Sequence, residues 1–183
     1  MAGSASLAAS QAAMASVMGV AGAAVAHAGH GTSVLGSLML AHFVGMFALS
    51  RLVGRIADRI GRRTTILIGL GLLASGGAVV AAIPGPVGFG IGLLLVGVGW
   101  SFGFLGSTVL LTDATAPERR ARVLGRADLG AQLSAAVIAT AGGWWFASQG
   151  MTGSGIAAVA VAAAPVVLVA LVREGKPGQY VAP

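Results

Sequence analysis

The charged side chains, which are the groups best able to do chemistry, lie in three short clusters separated by long uncharged stretches. Residues 51–63 hold five arginines and one aspartate, residues 113–128 hold four arginines and three acidic residues, and residues 173–176 hold the remaining three charges. Positive clusters at the ends of apolar stretches are typical of the cytoplasmic loops of membrane proteins. Orientation of the chain in the bilayer is therefore the first role that these arginines suggest.

The residue sets that an enzyme or a metal centre requires do not occur in this sequence. The chain has no cysteine and three histidines, and it lacks a Ser-His-Asp spacing and the GxxxxGK[ST] pattern that cradles phosphates. A pI near 11.6 would indicate a nucleic-acid partner in a soluble chain, but basic clusters that flank apolar stretches do not. We predict no enzymatic activity, no cofactor, no metal and no nucleic-acid partner.

The composition indicates that lipid surrounds this chain. Hydrophobic residues make up 56% of it and charged residues 9%, whereas a soluble domain carries about a quarter charged residues. The mean hydropathy is +0.91. A bilayer core about 30 Å thick needs ~20 apolar residues per helix, so the length allows roughly six or seven spans. The predicted fold class is an all-α membrane protein.

Six apolar segments of spanning length make up one transmembrane domain over residues 1–183. We predict membrane spans at residues 7–26, 34–53, 64–83, 87–111, 129–147 and 156–172, followed by a cytoplasmic tail at 173–183. The connections at 27–33, 84–86 and 148–153 contain no Lys, Arg, Asp or Glu, whereas the other two carry the arginine clusters. The positive-inside rule then places both basic loops and both termini in the cytoplasm, with the chain in the inner (plasma) membrane.

The basic connection after the second span contains a motif with fixed spacing. Residues 54–63 read GRIADRIGRR. This segment resembles the signature loop of the major facilitator superfamily, whose pattern is roughly G-x-L-A-D-R-x-G-R-[RK]. Ile56 stands where the pattern has Leu, and seven positions match it: Gly54, Ala57, Asp58, Arg59, Gly61, Arg62 and Arg63.

The resemblance implies a gating role for this motif. Gly54 would let the helix end pack closely on a neighbour, and Gly61 would supply a tight turn. Arg59 or Arg62 can reach an acidic group at a nearby helix end, and such pairs can latch one transporter state and break in another. The partners that we predict for this latch are Asp113 and Asp128. The alternative is a static turn whose arginines only orient the chain.

The rest of the chain resembles the carboxy-terminal half of a drug-exporter-like member of this family. Residues 41–63 resemble its eighth span and following loop, residues 113–125 resemble the loop after its tenth span, and the fifth span lacks the Gly-Pro motif of many exporters. The resemblance implies a six-helix half bundle that transports a small molecule, with efflux driven by an ion gradient, and an amino-terminally truncated gene product. Function would then require a second six-helix half or self-association. The alternative is a non-transporting membrane protein or a truncated remnant.

Three polar or aromatic residues inside the predicted spans are candidates for a substrate or proton site. His42 is ionisable within the second span, and such residues are functional candidates in membranes. It is equally able to act as a neutral hydrogen-bonding group between helices. Trp100 lies deep in the fourth span and is a candidate for lining the wall of a substrate site. Gln132 lies in the fifth span, where it can line a cavity or join two helices.

Overall fold

The structure is a computed structural model that describes residues 1–171, and its regular structure in that range is entirely helical. The helices are α1 (Ala2–Met18), α2 (Ala21–His27), α3 (Thr32–Phe47), α4 (Ser50–Ile60), α5 (Arg62–Ala82), α6 (Gly85–Asp113), α7 (Arg120–Ala163) and α8 (Val166–Ala170). A 3₁₀ turn at Pro117–Arg119 precedes α7. The predicted all-α membrane class is confirmed. The predicted tail at 173–183 lies outside the described residues.

Within residues 1–171, five helical segments are long and apolar enough to cross a membrane. They are Ala2–His27, Thr32–Ile60, Arg62–Ala82, Gly85–Asp113 and Pro117–Ala170. Helices are the expected form even in a chain with 30 glycines, because lipid offers no partners for backbone N–H and C=O groups. The predicted count of six spans stays a prediction, since the predicted fifth and sixth spans fall within the last segment.

The last segment contains a break at Gly150, whose φ of 60° and ψ of −154° are non-helical. A straight helix of 44 residues would measure about 66 Å, more than twice the thickness of a bilayer core. Before the break, Ala131 shares an apolar cluster with Leu7 near the start of α1, and Ala139 lies beside Gly19 at its end. This part of α7 therefore runs parallel to α1.

Beyond Gly150 the contacts with α5 show that the chain runs in the opposite direction. Gly155 lies against Ala81 near the end of α5, whereas Val169 shares an apolar cluster with Ile66 near its start. The second part of α7 and α8 therefore run antiparallel to α5. Helices α1 and α5 both run antiparallel to α6, because Gly3 contacts Leu111 and Gly69 contacts Gly103, and they are therefore parallel to each other. Since α7 runs parallel to α1 before Gly150 and antiparallel to α5 after it, the chain direction reverses at Gly150.

The second spanning segment extends further than the sequence indicates. Its two helices, α3 and α4, are separated only at Ala48 and Leu49, and α4 continues to Ile60. The first seven residues of the 54–63 motif are therefore helical rather than a loop. The physical reason is that arginine, isoleucine and alanine are all compatible with a helix, so the chain turns only where Gly61 permits it.

Candidate functional site

Arg62 connects three helices at one end of the bundle. Its Nη1 donates to Asp58 Oδ1 at 3.0 Å and to the Ala57 carbonyl at 2.9 Å, both on α4. Its Nε donates to Asp113 Oδ2 at 3.2 Å, at the last residue of α6. The Arg62 side chain is 17% exposed, whereas those of Asp58 and Asp113 are 73% and 47% exposed. We call this set of contacts the Arg62 bridge.

A single glycine creates the geometry of the Arg62 bridge. Gly61 has φ 86° and ψ 163°, a backbone conformation that a residue with Cβ rarely adopts. It ends α4 and begins α5 one residue before Arg62, so the arginine folds back over the last turn of α4. Because α6 runs antiparallel to α5, its carboxyl end brings Asp113 to the same place. The turn predicted at Gly61 is present.

All three charged groups of the bridge lie at the unfavourable end of their own helix. Arg62 is at the amino end of α5, and Asp58 and Asp113 are at the carboxyl ends of α4 and α6. A helix dipole favours negative charge at its amino end and positive charge at its carboxyl end. Arg62 therefore gains its favourable surroundings from the two carboxylates, each carboxylate gains them from Arg62, and the packing of α5 against α6 controls whether Asp113 and Arg62 meet.

The other predicted latch residues are arranged differently. Gly54 makes no close approach, because a Cβ at this position would meet open space. Arg59 is exposed, and among the described residues it takes part in no ion pair. Asp128 is likewise exposed and forms no ion pair with another described residue. Arg63 is partly buried beside Arg62. Of the predicted latch pairs, the structure contains the one between Asp113 and Arg62.

His42 is fully buried where α3 crosses α6. Its Nδ1 lies 2.9 Å from the Leu93 carbonyl oxygen, and a carbonyl only accepts hydrogen bonds, so Nδ1 carries the proton. The other ring nitrogen, Nε2, is buried without a hydrogen-bond partner among the described residues. The crossing is close because glycines form it: a Cβ at Gly97 would lie 3.2 Å from His42 Nδ1, and one at Gly45 would lie 2.8 Å from the Leu94 carbonyl.

Trp100 lies in a group of aromatic rings between α3 and α6. It stacks on Phe104 with centroids 4.7 Å apart and meets Phe47 edge-on at 6.1 Å, and Phe47 in turn stacks on Phe43 at 6.5 Å. We call these four rings the aromatic ladder. Phe43 and Phe47 are 43% and 58% exposed.

Trp100 Nε1 donates to Gln11 Oε1 on α1, and Gln11 is buried. Sequence reasoning missed Gln11, although an amide within an alanine-rich span was the available signal. Gln132, the third predicted site residue, is exposed on α7, and the structure does not bring it to His42 or Trp100.

Comparisons with known proteins place the chain among membrane transporters. The family model of the Major Facilitator Superfamily matches residues 3–182. An uncharacterized MFS-type transporter, YddS of Bacillus subtilis, is 40% identical over 114 residues, which cover 60% of this chain and 26% of the relative. The riboflavin transporter RfnT of Brucella anthropi is 36% identical over 115 residues, 58% of this chain and 27% of the relative.

These matches span about a quarter of each relative's length. The multi-pass character, the lipid-facing composition and the matched family model point to one conclusion. The chain belongs to the major facilitator superfamily, a family of membrane transporters rather than enzymes.

Proposed function

We propose that this chain is the carboxy-terminal half of a secondary transporter that exports a small molecule and is driven by an ion gradient. In this fold the substrate binds near the bilayer midplane between two six-helix halves. This chain therefore supplies one wall of the site, and a separate amino-terminal half or a second copy supplies the other. Both termini lie in the cytoplasm, so the Arg62 bridge lies on the cytoplasmic side of the inner membrane.

The Arg62 bridge is the observation that carries this proposal. A permanent connection would be expected in the packed interior, whereas this one lies at a partly exposed helix end, where an ion pair contributes about 0.2–1 kcal/mol. An interaction of that size can hold one conformation and release it when substrate or ion binding favours another. We therefore assign the bridge as a cytoplasmic latch between α4, α5 and α6.

His42 is our candidate for the proton or substrate site. With Nδ1 committed to Leu93, Nε2 retains a lone pair that can accept either a proton or a hydrogen bond from a substrate. The variant His42→Asn tests this role, because the asparagine amide can still donate to Leu93 while Nε2 is lost. We expect the variant to insert and fold, and its transport to become independent of the proton gradient. Wild-type proton dependence in this variant would exclude His42 as the coupling site.

A planar aromatic compound is our candidate substrate. The aromatic ladder offers stacking surfaces, and Gln11 and Trp100 supply polar groups beside it. One relative is named as a riboflavin transporter, and this makes riboflavin the first compound to test. Stacking on an indole quenches flavin fluorescence, so titration of the purified protein should show quenching in the wild type and less in Trp100→Leu. Trp144→Leu is the matched control, because Trp144 is 86% exposed and lies outside the ladder.

A transport assay separates the proposal from its alternative, which is a membrane protein that folds or associates without flux. The full chain would be reconstituted in vesicles alone and with a co-expressed six-span amino-terminal half, and export of labelled riboflavin and a panel of aromatic compounds would be followed under an imposed pH gradient. We expect flux only when two halves are present. A stable monomer that neither binds the second half nor supports flux would favour the alternative.

A further inference from the structure

The three arginines of α4, none of which takes part in the bridge, form a regular exposed stripe. Arg51, Arg55 and Arg59 are spaced four residues apart, and all three are exposed. At 100° per residue, each lies about 40° from the next around the helix, so they share one face about 12 Å long. Among the described residues none of the three forms an ion pair. We call this face the arginine stripe.

The surface beside the arginine stripe is apolar and also exposed. Leu52 and Ile60 are 50% and 40% exposed, and with Ile56 they form the next row around α4. Further around the helix, Val53 and Ala57 are buried against the bundle. A path around α4 therefore passes from cations to exposed aliphatic side chains and then to the packed core.

This order of side chains matches the interface of a bilayer. Arginines at the boundary of the hydrocarbon layer meet the phosphates of lipid headgroups, while neighbouring leucine and isoleucine contact acyl chains. A purely aqueous face would not need the exposed aliphatic row. The acidic side chain nearest in sequence, Asp58, forms its ion pair with Arg62 and not with an arginine of the stripe.

We propose that the arginine stripe of α4 binds the headgroups of anionic phospholipids in the cytoplasmic leaflet. The inference does not depend on the transport proposal, because it concerns a surface of the folded chain and not the substrate. It gives the cluster at 51–63 two separate tasks. Arg62 holds neighbouring helices together, whereas Arg51, Arg55 and Arg59 hold the exposed face of α4 at the membrane surface.

Native mass spectrometry of the full chain in detergent tests this site. The protein is titrated with dioleoyl phosphatidylglycerol or dioleoyl phosphatidylcholine, and the bound lipids are counted. We expect a preference for phosphatidylglycerol that weakens about five-fold for each arginine changed to glutamine. The triple variant R51Q/R55Q/R59Q should lose the preference, whereas R51K/R55K/R59K should keep most of it because lysine retains the charge. Circular dichroism and gel filtration verify that each variant is folded.

The matched control removes the same charge from another place at the same end of the bundle. Arg119, Arg122 and Arg126 are exposed near the start of α7, and R119Q/R122Q/R126Q should retain the lipid preference. Equal losses in both triple variants would overturn the proposal, because net charge alone would then explain binding. An unchanged preference in R51Q/R55Q/R59Q would also overturn it.

Two further arms identify what the stripe binds. Inorganic phosphate added in excess should leave bound phosphatidylglycerol in place, and displacement would show that a soluble anion is the ligand. Co-purification with a six-span amino-terminal half should survive in R51Q/R55Q/R59Q. If that association is lost while lipid binding stays, the stripe is a protein contact and the lipid proposal is wrong.

Discussion

Helices α5 and α6 are joined in two places by different interactions. In the middle of the bundle, glycines bring the two backbones together, and a Cβ at Gly69 would lie 2.9 Å from the Gly99 carbonyl, while one at Gly76 would lie 2.8 Å from the Gly92 carbonyl. At the end of the bundle where α5 begins and α6 ends, the contact between Arg62 and Asp113 joins the same two helices through side chains that are partly exposed.

The difference between these two contacts indicates which one can open. The glycine contact consists of many van der Waals interactions that vanish together if the helices separate, and no flexible side chain can follow the movement. In the Arg62 bridge the arginine side chain is long and flexible and that of Asp113 is 47% exposed, so Arg62 can exchange Asp113 for solvent at small cost. We therefore expect the bridge to open more readily than the glycine contact.

The largest expected effect is a loss of stability when the glycine contact is disturbed. Gly69→Ala places a methyl group against the backbone of α6, and we expect it to lower the free energy of unfolding by about 1–3 kcal/mol because neither backbone can move aside. Gly71→Ala is the matched control two residues away, where a Cβ meets open space. It should leave stability unchanged or raise it by up to about 1 kcal/mol. Thermal unfolding in detergent would measure both, and equal effects would contradict a close glycine contact.

An intermediate effect is expected when the whole bridge is removed. Arg62→Gln leaves Asp58 and Asp113 at the carboxyl ends of their helices without a cation, and two partly exposed pairs are lost. We expect a destabilisation of about 1 kcal/mol that shrinks as salt is added, because screening already weakens such pairs in the wild type. Unfolding at low and high ionic strength measures this. An effect no larger than that of Arg59→Gln, which breaks no ion pair between described residues, would show that the bridge is not formed.

The smallest effect on stability is expected when only the pair between Arg62 and Asp113 is removed. Asp113→Asn removes the pair between α5 and α6 but keeps the pair with Asp58, so we expect less than about 1 kcal/mol of destabilisation and normal insertion. Transport should change by roughly two- to five-fold, because an energy of this size shifts a balance between two states by that factor. Asp128→Asn, at an exposed aspartate outside the bridge, should behave as the wild type. Unchanged transport in Asp113→Asn would remove the latch from the mechanism.

Much of the architecture was predictable from local sequence. Long apolar stretches predicted the all-α membrane fold, and the resemblance of residues 54–63 to a family signature loop pointed to the motif and to the turn at Gly61. The helical state of residues 54–60 was not predicted, because a cluster of arginines suggests a loop although arginine is a good helix former. Gly54 was expected to pack closely, but it faces open space, and no local pattern shows which face of a helix has a neighbour.

The sequence by itself determined that this chain lies in lipid, which family it resembles and which stretches carry its charge, because composition and spacing depend only on which residues are present and on their order. The tertiary structure alone decided that Arg62 rather than Arg59 meets Asp113, and that Asp128 does not join them. The reason is geometric. Arg59 and Arg62 are only three residues apart, but the turn at Gly61 separates them, and the antiparallel packing of α5 and α6 brings Asp113 to one of the two.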